Sequence, residues 1–358
     1  MKLTTLPLVL SIACGAAATP AFAGSATPEA AHKVDLQQVR NATVKITYGG
    51  TTFLIDPMLA KKGTYPGFEH TYRSELRNPL VDLTESPAQV IAGVDAVIVT
   101  HTHLDHWDDA AQKALPKDIP LFAQHEEDAQ LIRSQGFKNV RVLTDEAEFG
   151  GVKITKTGGQ HGTDEMYAVP ALAKPLGEAM GVVFQAPGYK TLYLAGDTVW
   201  RKEVDQAIEK FNPEVIVLNA GKAMMTGYEG SIIMGEEDVL RAAQVAKNAK
   251  IVAVHMDAIN HMSLTREALR SYVKQHGIEG RVDIPEDGTS LAFLTPGAGQ
   301  NVGGAVRRFD FAPDSGVSAT QRLADLPQSG ASPLPHWYVD RPPVSADAAA
   351  RRLDVRSG

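Results

Sequence analysis

VIVTHTHLDHWDD, residues 97–109, is a run of β-branched apolar side chains that breaks abruptly into three histidines and a set of aspartates. Asp95–Thr100 reads as a buried strand. The polar burst therefore falls at the strand's C-terminal end, where α/β proteins bind ligands between loops and helix starts. A helix start needs one short capping acceptor, and Asp105 or Asp108 would serve. Capping does not call for His101, His103 and His106 as well, in a chain with histidine at only 11 of 358 positions. Imidazole nitrogen and carboxylate oxygen are metal donors, and the His-x-His-x-Asp-His spacing lets alternate side chains reach two centres. His101 and His103 would serve one metal, and Asp105 and His106 its neighbour.

Two metals need more donors than six residues supply, so further His or Asp is expected at the ends of other strands. TGGQHG (157–162) exposes His161 between glycines, LAGDT (194–198) ends an apolar strand in Asp197, and VAVHM (252–256) ends another in His255. Each has a plain alternative when taken alone: a loop histidine, a helix N-cap, or a strand-end histidine bonded to backbone. All three occupy the same kind of position as the first cluster.

The surrounding pattern fits a layered α/β chain. Strand-like runs begin at Thr43, Thr51, Asp95, Ile119, Val140, Val152, Gly181, Lys190, Glu214, Lys250 and Thr289. Helical periodicity covers Trp107–Leu115, Glu126–Gln135, Lys202–Phe211, Gly235–Ala246 and Thr265–His276. Early strands alternate apolar and polar residues, whereas later ones such as 216–218 and 251–254 are continuously apolar, as in a sheet covered by helices. No internal repeat is read.

Residues 1–23 combine Lys2, an apolar stretch and Ala21-Phe22-Ala23, the pattern of an export signal. Cleavage there predicts a periplasmic or secreted chain without integral membrane association, and removes Cys14, the one cysteine. Any metal must then be held by His and carboxylates. Loss of Lys2 takes the formal charge from −7 to −8, and no basic run exists to follow a phosphate backbone, so nucleic acid is not an expected partner. Residues 24–40 read as a linker, 41–296 as the hydrolase domain, and 297–358, rich in Gly, Pro, Ser and Ala, as an irregular or disordered extension. Oligomeric state is not legible.

From Thr43 to about Leu294 the order and context of these motifs resemble the metallo-β-lactamase superfamily. LIDP (54–57), RNPLVDL (77–83), GGQHG (158–162), AGDT (195–198) and VHMDAINH (254–261) are most similar to the L-ascorbate-6-phosphate lactonase-like metal-dependent hydrolases. The resemblance implies a four-layered αββα sandwich, two mixed sheets flanked by helices. It implies that His101, His103 and His161 hold a first divalent cation, that Asp105, His106 and His255 hold a second, and that Asp197 bridges them. Zinc is the first choice, with manganese or iron as alternatives. Asp56 would be the carboxylate that orients the ligand loop.

Two such cations can share and ionise a water, so the expected activity is attack of a metal-bridging hydroxide on an ester, lactone or phosphodiester of a small-molecule substrate. His261 is the candidate proton donor to the leaving group, with Asp105 as the second. Lys222 and Tyr228, in a glycine-containing loop beyond a strand end, are candidates for substrate binding. Met224, Met225, Trp107 and Trp200 are candidates for an apolar wall, and the irregular segment 59–76 for a lid carrying Tyr65, His70 and Arg73. Two other readings stay open: hydrolysis of β-lactam antibiotics, and a non-catalytic metal-binding protein on the same fold. The first is disfavoured, because the zinc β-lactamases resembled here lack the bridging Asp and several use a cysteine ligand. Seven intact ligands weigh against the second.

Overall fold

The computed structural model describes residues 32–295. The expected export signal, residues 1–23, and the expected extension, residues 297–358, lie outside the described residues. In chain order the elements are β1 (Lys33–Arg40), β2 (Thr43–Tyr48), β3 (Thr51–Ile55), α1 (Pro87–Ile91), β4 (Ala96–Val99), α2 (Asp109–Ala114), β5 (Leu121–Ala123), α3 (Glu126–Ser134), β6 (Val140–Val142), β7 (Glu146–Phe149) and β8 (Val152–Thr157). There follow α4 (Asp164–Tyr167), α5 (Pro170–Leu176), β9 (Gly181–Gln185), β10 (Leu192–Leu194), α6 (Lys202–Phe211), β11 (Val215–Asn219), α7 (Glu236–Val245), β12 (Lys250–Val254), α8 (Arg266–Gln275), β13 (Val282–Asp283) and β14 (Ser290–Leu294).

Two seven-stranded sheets result, ordered β14-β1-β2-β3-β4-β5-β6 and β13-β12-β11-β10-β9-β8-β7. In the first, β14, β1, β2 and β3 pair antiparallel and β3 to β6 pair parallel. The second follows the same plan, antiparallel from β7 to β10 and parallel from β10 to β13. This two-halves symmetry of architecture leaves no repeat in the sequence, because pairing direction is set by backbone and connection rather than by particular side chains.

The alternation of side chains along each strand assigns the layers. Ala96 and Ile98 of β4 join Val215 and Val217 of β11 and Val252 and Val254 of β12 in the core between the sheets. Their neighbours Val97 and Val99 face outward under α2 and α3, and Ile216, Leu218, Ile251 and Ala253 face α6, α7 and α8. These strands are apolar throughout because helices cover their outer faces. Burying each valine, leucine or isoleucine among them contributes about 1.5–3 kcal/mol. The architecture is the expected αββα sandwich.

The linker expected over residues 24–40 needs correction at its C-terminal end, since Lys33–Arg40 is β1, paired with both β14 and β2. Val34, Leu36 and Gln38 alternate along one face, and a register shift between Gln38 and Arg40 takes Arg40 out of that alternation; all four are fully buried. A buried glutamine on the inner face and the register shift before Arg40 break the hydrophobic alternation that would have marked a strand. Arg40 stays buried because its guanidinium donates to the carbonyls of Met58 and Val81, at 2.8 and 3.1 Å.

Candidate metal centre

The parallel arrangement brings the C-terminal ends of β3, β4, β10, β11 and β12 to one edge of the sandwich, and β8 runs in the same sense as β10. The chain leaves these strand ends through Asp56, His101, Asp197, Asn219, His255 and His161. Two of the departures are tight. Gly196 has φ +70°, and a Cβ there would press on the carbonyl oxygen of Met180, so only glycine admits the turn into Asp197. His255 has φ +64°, a strained conformation for a non-glycine residue, held by its N–H donating to the Asn41 carbonyl at 3.0 Å.

All seven expected donor side chains converge. Nitrogen or oxygen atoms of His101, His103 and His161 lie within 4.8 Å of one another, as do those of His101, His106 and Asp197, and those of Asp105, His106 and His255. One oxygen is common ground: Asp197 Oδ2 lies 3.1 Å from His106 Nε2, 3.2 Å from His161 Nε2, 3.5 Å from His255 Nε2 and 3.9 Å from His101 Nε2. Every one of the seven is buried except His103, which is half-buried.

Outer hydrogen bonds fix which ring nitrogens carry protons. Asp56 accepts from the backbone N–H of Thr100, from Thr100 Oγ1 and from His106 Nδ1, at 2.7, 2.7 and 2.8 Å. His106 therefore carries its proton on Nδ1 and turns the Nε2 lone pair inward. Because the Thr100 hydroxyl spends its proton on Asp56, it accepts from His101 Nδ1 at 3.1 Å, which leaves a lone pair on His101 Nε2. His103 donates through Nε2 to the Pro175 carbonyl at 3.0 Å, leaving its lone pair on Nδ1.

These lone pairs then face each other. His101 Nε2 meets His103 Nδ1 at 3.0 Å, and His106 Nε2 meets His255 Nε2 at 3.1 Å. Neighbouring lone pairs and two buried carboxylates, Asp105 and Asp197, are mutually repulsive unless positive charge sits among them. The donor set therefore fits divalent cations, and the imidazole and carboxylate chemistry suits zinc, manganese or iron.

Titration of the cluster tells the same story. Burial, reinforced by His106 and His103, holds His101 well below the usual imidazole range, and burial pushes His103 down to about 3. Both stay neutral and able to ligate. Burial alone would raise Asp197, but His106 and His255 carry it well below the usual carboxylate range. Burial would likewise lower His106, yet Asp197, Asp105 and Asp56 push it well above, so this is where the carboxylates most favour positive charge.

A small cavity of about 30 Å³ opens over the cluster. Its floor is His103, Asp105, His161 and His261, and its walls are Phe68, Thr71, Leu176, Met225 and Ile232. No lysine or arginine lines it. His261 is buried, sits edge-on to Phe68 with ring centroids 5.1 Å apart, and is lowered by burial to about 4.

Other expected site residues lie elsewhere. Lys222 is paired with Glu236 at 2.7 Å, and neither it nor the exposed Tyr228 lines the cavity. The expectation that these two meet substrate at the cavity is corrected accordingly: the α7 glutamate captures the lysine. Met225 does form wall, whereas Trp107 is packed in the core beneath α2 and α3 and Trp200 lies under Arg241. In segment 59–76 the residues that reach the cavity are Phe68 and Thr71 rather than Tyr65, His70 or Arg73, and Arg73 is spent on the carbonyls of Asn260 and Met262.

Three residues not singled out in the sequence support the cluster. Asn219 donates to Asp197 Oδ1 at 2.6 Å, Asn41 donates to the Asp105 carbonyl at 2.9 Å, and Thr100 links Asp56 to His101. A polar residue ending an apolar strand was the available signal for Asn219.

The β-lactamase superfamily domain model matches residues 51–256. UPF0173 protein YddR of Bacillus subtilis is 46% identical over 260 residues, covering 73% of this chain and 100% of the relative. A UPF0173 metal-dependent hydrolase of Rubrobacter xylanophilus is 25% identical over 254 residues, 70% of this chain and 93% of its own. Among solved structures, a possible metal-dependent hydrolase from Veillonella parvula is 49% identical with a TM-score of 0.71, covering 73% of this chain and 99% of that one. The isothiocyanate hydrolase from Delia radicum gut bacteria is 52% identical with the same TM-score and the same coverage. With its fold, its donor cluster and these relatives in agreement, the chain belongs to the β-lactamase superfamily and is a metal-dependent hydrolase.

Proposed function

We propose that the chain is an exported hydrolase holding two divalent cations, zinc foremost, that cleaves a small uncharged electrophile, and specifically an isothiocyanate. The observation that carries the substrate class is the cavity lining. Its walls are apolar and no lysine or arginine lines them, so an anionic substituent directed at the walls, away from the cations, would lose its hydration without recompense. The 52% identical solved relative is an isothiocyanate hydrolase. Esters and unphosphorylated lactones share the neutral electrophilic carbon and are the competing substrates. The export reading rests on residues 1–23. Two cations are supported by seven donors gathered in three overlapping groups.

Divalent cations held by this cluster supply Lewis acidity that ionises water near neutral pH and stabilises developing negative charge. The chain's residues do the rest. Phe68, Leu176, Met225 and Ile232 take the organic substituent and exclude bulk water. Balance for an isothiocyanate is R–N=C=S + H₂O giving R–NH₂ and O=C=S. A C–O bond forms at the central carbon as the C=N π pair moves to nitrogen; the C–N bond then breaks with its electron pair also going to nitrogen, which takes up both protons of the water. His261, neutral and buried in the cavity with Nδ1 free of any partner, can take up one of the water's protons and pass it to that nitrogen. Burial alone would raise Asp105, but His106 and His255 hold it below the usual carboxylate range, so it serves as an anionic ligand rather than a donor.

The test is turnover by the zinc-loaded enzyme on benzyl isothiocyanate, p-nitrophenyl acetate, γ-butyrolactone, bis(p-nitrophenyl) phosphate and nitrocefin, with metal analysis and N-terminal sequencing of the exported protein. Expected are two equivalents of metal, a mature chain beginning at Gly24, and benzylamine release at least about 100-fold faster than phosphodiester cleavage. A preference for the phosphodiester or nitrocefin overturns the substrate class, and full metal loading without turnover on any substrate favours a binding protein.

A further inference from the structure

Asn260 is fully buried, and each of its polar atoms is used. Its backbone N–H donates to Asn78 Oδ1 at 2.8 Å and its carbonyl accepts from Arg73 Nε at 3.0 Å. Its side-chain oxygen accepts from the Phe68 N–H at 3.1 Å and from Asn78 Nδ2 at 2.8 Å. Its side-chain nitrogen donates to Thr71 Oγ1 and to the Tyr72 carbonyl, both at 2.8 Å.

Two consequences meet at the cavity. Phe68 and Thr71 are wall residues, and one amide fixes the backbone of the first and the side chain of the second. The Thr71 hydroxyl accepts from Asn260 and donates to the Phe68 carbonyl at 2.6 Å, so the wall's single hydroxyl has no proton left to offer a substrate. The wall is also tied to its neighbour: Thr71 and Met225 form a β-bridge, and the Met224 N–H donates to the carbonyl of His261, the residue after Asn260.

We infer that Asn260 is a positioning and specificity-determining residue: it fixes Phe68 and Thr71 as an apolar wall, and through them sets which substituent the cavity accepts. The network is all-or-none, since a buried donor or acceptor deprived of its partner costs more than the bond itself contributed. Removing the Asn260 side chain orphans the Phe68 N–H, Asn78 Nδ2 and the Tyr72 carbonyl, and leaves the Thr71 hydroxyl held by the Phe68 carbonyl alone. Contact with a bulky apolar substituent is then lost while the metal ligands keep their own supports.

The substrates used to test this rest on the isothiocyanate reading, so the experiment has a second arm that does not. In zinc-loaded Asn260→Ala, KM for benzyl isothiocyanate is expected to rise about 10-fold with kcat within about 2-fold, the signature of lost uniform binding, while KM for methyl isothiocyanate stays within about 3-fold. Metal content is expected to match the parent. An equal loss on both substrates, a fall confined to kcat, or no change overturns the inference. Asn260→Asp, which keeps both acceptor contacts but turns a carboxylate oxygen towards the Tyr72 carbonyl in place of the two donations, is expected to show a rise of the same pattern and decides the matter if the alanine variant does not fold. If the parent turns over neither isothiocyanate, the functional reading fails, and amide hydrogen exchange then decides this one. Loss of protection confined to residues 65–76, with 92–100 unchanged, supports it, and unchanged protection at 65–76 overturns it.

Discussion

Asp56 Oδ2 lies 2.8 Å from His106 Nδ1, between two buried side chains drawn from the ends of adjacent parallel strands. Its other bonds come from Thr100, whose hydroxyl in turn meets His101. One carboxylate thereby sets the tautomers of two imidazoles, and its positive φ of 46° is held by those same bonds. Replacing Asp56 by Asn leaves the fold's apolar layers intact but allows both rings to flip or exchange tautomers. Metal affinity is expected to fall roughly 10–100-fold, read by competition with a chromophoric chelator. Unchanged affinity would mean that the rings are oriented by packing alone.

Asp197 is the one donor within 4 Å of four imidazoles, and its second oxygen is held by Asn219. Asp197→Asn preserves the shape and an acceptor for Asn219 while removing the negative charge that two cations would share. Bound metal is expected to drop below two equivalents after desalting, and turnover to fall by at least about 10³-fold. Retention of both metals and of activity would show that the carboxylate does not bridge.

Chelation of the parent tests the same centre through stability. A cation that binds only the folded chain stabilises it by about 4 kcal/mol at a free concentration a thousand times its Kd. Metal-free protein is therefore expected to unfold at a markedly lower temperature, and to regain its midpoint when zinc is restored. An identical midpoint with and without zinc would argue that the lone pairs facing each other in the cluster are relieved in some other way.

The ligands were legible because the chemistry leaves little choice of residue: metal donors at the ends of apolar strands are His and Asp, and the apolar runs of β4, β10 and β12 announce where those ends fall. Apart from Met225, the cavity wall was not legible. Phe68 reaches the site through an amide 192 positions away in the chain, and no local pattern encodes that contact. Lys222 was misread because nothing near it in sequence announces Glu236, fourteen residues on. The short helices α4 and α5 escaped notice because Pro175 lies inside the seven-residue α5, and four residues of α4 give too little periodicity to see. Strand β1 hid behind Gln38 and Arg40.

Arg40 gives that last misreading an energetic test. With Asp108, Asp287 and Asp82 offsetting the cost of burying its charge, and two carbonyls accepting from its guanidinium, Arg40 joins β1 to the segments at Met58 and Val81. Truncation to Ala strands those partners in the interior and is expected to cost about 3–5 kcal/mol, seen as a lower urea midpoint. Arg40→Lys is expected to recover little, because a single ammonium cannot span both carbonyls. A loss under about 1 kcal/mol would place the contacts among those that water replaces freely.

His261 offers a pH signature in the metal-free protein. Burial lowers its folded pKa to about 4 from an ordinary 6.5. Between those values the unfolded chain holds a proton that the folded chain refuses, so stability is complete above 6.5 and is lost as pH falls towards 4. The loss amounts to at most about 3 kcal/mol for this group. His103 acts in the same sense and His106 in the opposite one, since its folded pKa is raised. Comparing His261→Gln with the parent cancels both neighbours to first order. The variant's urea midpoint is therefore expected to fall less steeply than the parent's between about pH 7 and about pH 4. Parallel curves would mean that His261 takes up its proton as readily in the fold as out of it, and such a histidine would be too open to water to hold a proton for a leaving nitrogen.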